Sequence, residues 1–340
     1  MTKKTAFSYG INLLAVLVLF FVLLLLNKQG IINKYVLGIL TLICINIILA
    51  VSLNVTTGCL GQIALGHAGF MSAGAYTAAI FTQAGIIPGV GGYFAGLLLG
   101  GLVAAIIGII IGLPALRLRG DYLAIITLAF GEIIRVVIEN MTITGGAQGL
   151  KGIKKLSAYD ISLFGMNADF TAFAIVFFLM VLSVVLMYTM MVSRHGRAIL
   201  AIREDDIASE AAGVNNTYYR TLAFTVSAFF AGIAGGMYAH YIGILGAKSF
   251  DFNKSIEILI TVVLGGLGSF TGSVVSAIAL TSLPELLRQF SDYRMLVYSI
   301  VLILVMIFKP SGLMGTKEFS LSRIFGGRKK VSSEKGSDTQ

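Results

Sequence analysis

The chain has 340 residues, 57% of them hydrophobic and only 12% charged, with a formal net charge of +9 and a mean hydropathy of +0.91. Soluble domains carry about 25% charged side chains, so this composition excludes a soluble enzyme and a soluble nucleic-acid-binding domain. Cys44 and Cys59 have no ligand-type spacing around them and are expected to be small buried hydrophobes rather than a disulfide or a metal pair.

In chain order, Lys3 and Lys4 precede an uncharged run at 11–26. No small-residue cleavage site follows it, so a retained first helix is expected. The runs 35–53, 93–113 and 170–192 approach or exceed the ~20 residues that cross a bilayer as helix. Six spans are expected before the central polar stretch, at 10–27, 35–53, 63–83, 93–113, 121–138 and 170–192. The stretch 193–220, with Arg194, Arg197, Arg203 and Arg220, and the Lys- and Arg-rich tail after Phe308 are both cytoplasmic by the positive-inside rule. Six crossings put the N-terminus, Arg117 and Arg119 on that side too. The loop 139–169 then lies outside, where Lys151, Lys154 and Lys155 run against the rule.

Beyond Arg220 the apolar blocks are 221–242, 256–287 and 295–308. Three crossings would strand the basic tail outside. Splitting the long middle block at Gly265, Gly266 and Gly268 restores parity. The expected fold is therefore an all-α polytopic membrane protein of about ten transmembrane elements, some broken by glycine. Its organisation is a transmembrane domain over 1–315, containing a cytoplasmic segment at 194–220 and an extracytoplasmic loop at 139–169, followed by a basic cytoplasmic tail at 316–340.

Small residues recur every four positions at Gly96, Gly100, Ala104, Gly108 and Gly112, and again at Ala228, Gly232 and Gly236. Such stripes let helices approach closely in lipid. A second break, Gly58-Cys59-Leu60-Gly61-Gln62, precedes Gly66-His67-Ala68. Glycine-interrupted apolar segments in both halves point to broken helices around a transport pathway. Its candidate residues are Gly58, Gly61, Gln62, Gly66 and His67 from the first break, and Gly265, Gly266, Gly268 and Ser269 from the second. His67, Gln62 and His240 also read as hydrogen-bonded packing residues at helix interfaces.

The sequence offers little catalytic chemistry. There is no Gly-Lys dipeptide and hence no Walker A loop, Gly246-Ala247-Lys248-Ser249 being a near miss, and no two-histidine zinc motif. No metal or nucleotide is expected on this chain, and any ATP hydrolysis must come from another polypeptide. Glu132, Arg135 and Glu139 are spaced to pair along one helix face, and Glu257 and Glu285 fall at the ends of apolar blocks. No isolated mid-membrane carboxylate stands out, which argues against an ion-coupled secondary transporter. In 194–214, apolar Ala198, Ile199, Ile202 and Ile207 alternate helically with charges of both signs, as suits docking into a partner's groove. The candidate coupling residues are Arg197, Ile202, Arg203, Glu204, Asp205, Glu210, Ala211 and Gly213.

Glu210-Ala211-Ala212 with Gly213 resembles the EAA loop through which permeases of ATP-binding-cassette (ABC) importers contact their ATPase, although the usual glycine stands several residues further on. The whole chain resembles the LivM-type permeases of branched-chain amino acid importers. The resemblance is carried by Thr57-Gly58-Cys59-Leu60-Gly61-Gln62, Gly66-His67-Ala68, Gly74-Ala75-Tyr76 and Leu116-Arg117-Leu118-Arg119-Gly120-Asp121-Tyr122. Thr144-Gly145-Gly146, Gly149-Leu150, the 194–214 segment, Val263-Leu264-Gly265-Gly266-Leu267-Gly268-Ser269 and Lys309-Pro310-Ser311-Gly312-Leu313 follow in order. The resemblance implies a type II-like ABC importer permease in a bacterial cytoplasmic membrane. Its implied partners are a second homologous permease, two cytoplasmic ATPase subunits holding ATP and Mg, an extracytoplasmic amino-acid-binding protein, and lipid. It implies leucine, isoleucine and valine as substrates, with urea or short-chain amides as the alternative within the family. An ATP-independent transporter or channel is the alternative outside it.

Overall fold

The computed structural model describes residues 18–30, 32–116, 118, 120–159, 167–290, 293–309 and 312–315. Lys3, Lys4, Arg117, Arg119, Pro310, Ser311, the start of the first expected span and the tail 316–340 lie outside the described residues. The described residues form twelve α-helices and no strand beyond one isolated bridge between Leu150 and Leu245. α1, Val18–Lys28, belongs to a separate unit and exposes Val18, Leu19, Phe21 and Val22.

The main unit runs through α2 (Lys34–Asn54), α3 (His67–Gln83), α4 (Gly89–Ala115), α5 (Asp121–Asn140) and α6 (Ala168–Val192). The short helices α7 (Arg194–Glu204) and α8 (Asp206–Ala211) lead into α9 (Asn216–Ile242). α10 (Phe252–Gly265), α11 (Phe270–Leu286) and α12 (Arg294–Phe308) complete it. Lys34–Cys59, Gly89–Ala115, Ala168–Val192 and Asn216–Ile242 are each long and apolar enough to cross a membrane. Apart from α7 and α8, ten helices remain, matching the expected number of elements. The expected split of 256–287 is present, because α10 stops at Gly265 and α11 starts at Phe270. α4, α9 and α10 start four or five residues before their expected runs, whereas α3 starts later, at His67 rather than 63, since 60–66 is non-helical around Gly61 at φ +76°.

α3, α4 and α9 form the tightest packing, and glycine explains it. A Cβ on Gly74 of α3 would overlap the Cα and carbonyl of Gly232 on α9. One on Gly100 of α4 would stand 2.6 Å from the Gly74 carbonyl oxygen, and one on Gly108 would stand 2.7 Å from the Ala228 Cβ. The three backbones thus touch without intervening side chains, gaining dispersion contacts that lipid cannot match. The opposite face of α4 exposes Leu98, Leu102, Ile106 and Ile110, also four residues apart. This helix is two-faced by size rather than by polarity, as a lipid-bathed element needs to be. Gly74→Ala is expected to lower the thermal denaturation midpoint by about 5 °C or more, as overpacking costs ~1–3 kcal/mol. Gly74→Leu should abolish accumulation of monodisperse protein on size exclusion.

Polar side chains join the other helices. Asn46 of α2 donates from Nδ2 to Thr281 Oγ1 of α11 at 2.9 Å, and Ser276 Oγ donates to the Thr261 carbonyl of α10 at 2.6 Å. Such bonds are conditional on helix pairing, because no water competes inside a bilayer.

Candidate functional site

The two glycine breaks meet at the C-terminal end of α2. There α2 widens into one π-turn, Val55–Cys59, closed by the Leu60 N–H donating to the Val55 carbonyl at 3.2 Å. π-turns are rare and concentrate at functional positions. The second break holds Gly266 and Gly268 at φ +112° and +89°, conformations that glycine alone adopts without strain. Ser269 then caps α11, its Oγ accepting from the Gly272 N–H at 3.0 Å.

Asn54, fully buried, clamps the breaks together. Its Oδ1 accepts from the Gly268 N–H at 2.9 Å, and its Nδ2 donates to the Ser269 carbonyl at 2.9 Å. A Cβ on Gly58 would overlap Asn54 Oδ1 and the Gly268 nitrogen, so close contact here demands glycine on both strands of the junction. Sequence reasoning missed Asn54. Its signal was a carboxamide at the end of an apolar run, just before the first glycine.

The charged segment reaches the same point. Arg203 of α7 donates from Nη1 to the Gly58 carbonyl at 2.6 Å, a charge-assisted bond. A Cβ on Gly268 would lie 2.9 Å from that Nη1, and one on Gly61 would lie 3.1 Å from the Arg203 Cγ. Gly58, Gly61, Gly268, Ser269 and Arg203 therefore converge. Gly66 does not join them: it packs on α5, where a Cβ would overlap the Thr127 carbonyl. Gly265 faces Gly272, and Gly266 faces Gly312 and Gly315. The Leu313 and Met314 N–H groups cap α10 by donating to the Leu264 and Gly265 carbonyls at 2.7 and 3.2 Å.

His67 is buried, its Nε2 2.9 Å from Ser52 Oγ, while Ser227 Oγ donates to the Ser52 carbonyl at 2.7 Å. His67 thereby joins α3 to α2, and Ser227 joins α9 to the same serine. His240 is likewise hydrogen-bonded, to Thr82 Oγ1 and the Gly236 carbonyl. In contrast, Gln62 Oε1 and Thr57 Oγ1 are buried beside the first break without a hydrogen-bond partner. Buried polar atoms are rarely left so, and such exceptions call for an occupant such as water or a ligand.

The apolar stripe of the charged segment divides in two. Ile199 and Ile202 are buried in this chain's own packing, so Ile202 is placed as an anchor and not at the surface. Ile207, 73% exposed, faces outward with Glu210, Ala211 and Gly213, and Arg197, Glu204 and Asp205 are exposed too. Asp205 caps α8, its Oδ1 accepting from the Ile207 and Ala208 N–H groups at 2.9 and 3.0 Å. Asp206 fixes α8 to α9 by pairing with Arg220 at 2.5 Å, and Asn216 Nδ2 donates to Asp206 Oδ1 at 2.8 Å. Arg220 also donates to the Leu116 carbonyl past the end of α4 at 3.2 Å. α7 and α8 are thus strapped to α2, α4 and α9 together.

Along α5, α10 and α11, the carboxylates Glu132, Glu139, Glu257 and Glu285 have partners. Arg135 binds Glu132 at 2.7 Å and Glu139 at 2.8 Å along α5. Glu257 pairs with Lys254 at 3.0 Å, and Glu285 accepts a hydrogen bond from Tyr35. Glu132→Gln is expected to leave transport activity within about twofold and insensitive to a proton uncoupler, since Arg135 keeps Glu139 as its ionic partner. In the 139–169 loop, burial raises the Tyr159 phenol above its ordinary range, with Lys154 Nζ 4.6 Å from its ring centroid. Among the described residues no cluster of three or more His, Cys, Asp or Glu is arranged to hold a metal.

A family profile described as the permease component of branched-chain amino acid transport systems matches residues 35–308. The high-affinity branched-chain amino acid permease protein LivM of Escherichia coli K12 is 38% identical over 304 residues, covering 83% of this chain and 71% of its own. LivM of Salmonella typhimurium LT2 is 38% identical over 297 residues, 81% of this chain and 69% of its own. The permease protein LivH of E. coli K12 is 29% identical over 128 residues, 37% of this chain and 41% of its own. No solved structure matches the chain. With four helices long and apolar enough to cross a membrane and a match spanning both glycine breaks and the charged segment, this multi-pass membrane chain belongs to the family of permease components of branched-chain amino acid transport systems.

Proposed function

We propose that this chain is the permease subunit of an ABC importer that carries leucine, isoleucine and valine across a bacterial cytoplasmic membrane by alternating access. It works with a second, homologous permease, two cytoplasmic ATPase subunits that bind the ATP and Mg, and an extracytoplasmic binding protein. The chain itself catalyses no reaction and binds no cofactor. The observation that supports this reading best is the 2.6 Å bond from Arg203 to Gly58, which joins a charged, surface-facing segment to a broken membrane helix.

In this reading the ATPase grips the outward side of α8 through Ile207, Glu210 and Ala211. Closure of the ATPase pair on ATP displaces α8. The Asp206–Arg220 pair carries that displacement to α9 and α4, and Arg203 carries it to the α2 break. A junction held by a few directional hydrogen bonds has two discrete states, made or broken, which is what a switch needs. When it opens, the Gln62 and Thr57 oxygens and the released amides of the breaks offer polar groups to a passing zwitterion.

The test is uptake of radiolabelled leucine by proteoliposomes containing the full transporter. Uptake is expected to require ATP, to be competed by isoleucine and valine, and to ignore urea and acetamide. Uptake without the ATPase subunits would place the chain among secondary transporters, and competition by urea would move it to the amide branch. Glu210→Gln is expected to lower uptake about threefold to tenfold with unchanged protein abundance, because it weakens the grip on α8 without touching the fold. Unchanged uptake would remove Glu210 from the contact.

A further inference from the structure

At the end of α2 opposite the breaks, a cavity of about 110 Å³ lies between α2, α4, α6, α9 and the loop residues 155–157. A single water needs ~10–15 Å³ by the same measure, so this space suits a molecule of somewhat under ten non-hydrogen atoms. Its rim carries charge of both signs. Lys34 Nζ pairs with Asp169 Oδ2 at 3.2 Å, with the lysine side chain 81% exposed and the aspartate 34%. Lys155 adds a second cation, lying close enough to Gly243 that a Cβ there would stand 3.0 Å from its Cε. The deeper wall is hydrocarbon, from Leu37, Phe173, Val176 and Met237.

One wall residue stands out. Tyr93 is fully buried, yet its hydroxyl has no hydrogen-bond partner. Its neighbour His240 is not free to help. The His240 Nδ1 lies 2.8 Å from the Gly236 carbonyl and must donate to it, which leaves Nε2 to accept from Thr82 Oγ1 at 3.0 Å. Gly38 lets the Tyr241 hydroxyl, which also lines the space, lie close against α2, since a Cβ there would stand 2.8 Å from it. Two cations, one carboxylate and an apolar floor define the ligand's chemistry, while the Tyr93 hydroxyl lies behind that floor. The ligand needs an anionic and a cationic group close together at one end and a short hydrocarbon chain at the other.

We infer that this cavity is a binding site for a small α-amino acid with an aliphatic side chain, separate from the junction of the breaks. The carboxylate faces Lys34 and Lys155, the ammonium takes Asp169, and the side chain packs on Phe173, Val176 and Met237. Binding must separate Lys34 from Asp169, an exposed pair of small strength that the zwitterion's two charges replace. The assignment deepens the transport reading in one respect only, the choice of leucine as probe, and its geometry does not depend on it.

The test uses the full chain purified alone into lipid nanodiscs, so that no binding protein contributes, with radiolabelled leucine in equilibrium dialysis. Saturable binding is expected. The deaminated analogue 4-methylpentanoate and the decarboxylated analogue 3-methylbutylamine should each bind at least tenfold more weakly, because each forfeits one rim charge. Asp169→Asn should weaken leucine at least tenfold, and Ala172→Phe, which fills the space, should abolish binding while the thermal midpoint stays near that of the unaltered chain. The proposal is overturned by an absence of saturable binding to the unaltered chain. It is equally overturned if binding survives both Asp169→Asn and Ala172→Phe, or is lost in Arg203→Gln but not in Ala172→Phe, which would place the ligand at the breaks. ATP-driven leucine uptake by the assembled transporter, measured beside these, separates the two readings. Uptake without nanodisc binding removes the cavity and leaves the transport function standing.

Discussion

Replacing Arg203 with glutamine is expected to lower ATP-dependent leucine uptake at least tenfold while the transporter still assembles and still hydrolyses ATP. The Arg203–Gly58 contact is a hydrogen bond from a charged group, worth roughly 1.5–3 kcal/mol, and ~1.4 kcal/mol is a factor of ten. Glutamine shortens the reach and removes the charge, so force applied at α8 no longer arrives at the α2 break. The bundle does not depend on the contact, since Ile199 and Ile202 continue to anchor α7. Arg203→Lys should restore part of the loss, because a point charge on a flexible stem replaces a planar fork at the same carbonyl. Hydrolysis without uptake is the signature to measure, in proteoliposomes with phosphate release and leucine counted together. A loss of both in equal proportion would indicate failed assembly instead.

Asn54→Leu is expected to have the second large effect, and to act on stability first. Leucine matches asparagine in size but leaves the Gly268 N–H and the Ser269 carbonyl without the partners they have now. Each orphaned buried group costs about 1–3 kcal/mol, so the variant loses on the order of 2–6 kcal/mol. A fall of roughly 10 °C in the thermal midpoint is expected for a chain of this size. Gly58→Ala should reproduce the phenotype from the other side, because its Cβ occupies the place of Asn54 Oδ1. A midpoint within about 2 °C of the unaltered protein for either variant would mean that the clamp does not hold the breaks together.

Much of this architecture is legible in the sequence because membrane helices announce themselves by length and glycine announces close contact. The division of 256–287 follows from three glycines and the charge of the tail, and the structure places the gap between Gly265 and Phe270. The four-residue stripe on α4 gave the packing face directly, since only small residues let Gly74, Gly100 and Gly232 meet. Asn54 was less accessible. Its partners stand 214 and 215 positions away, and nothing local distinguishes a clamp from an ordinary polar residue at a helix end. The division of the charged segment into anchor and outward face was also hidden, because Ile199, Ile202 and Ile207 have the same chemistry. Only tertiary packing decides that the first two turn inward and the third outward. The start of α3 moved for a related reason: 63–66 is apolar enough for helix, but Gly61 and the contact of Gly66 with α5 keep it out of the helix.

The central claim is that the charged segment and the paired glycine breaks act as one mechanical unit. A double-mutant cycle of Arg203→Gln and Asn54→Leu, read out as the rate of ATP-dependent leucine uptake per assembled transporter, tests it most directly. If both residues hold the same junction, the double variant transports no worse than the poorer single variant. If the two losses multiply, the residues act independently, and the bond between Arg203 and Gly58 is a packing contact rather than the link from ATPase to pathway.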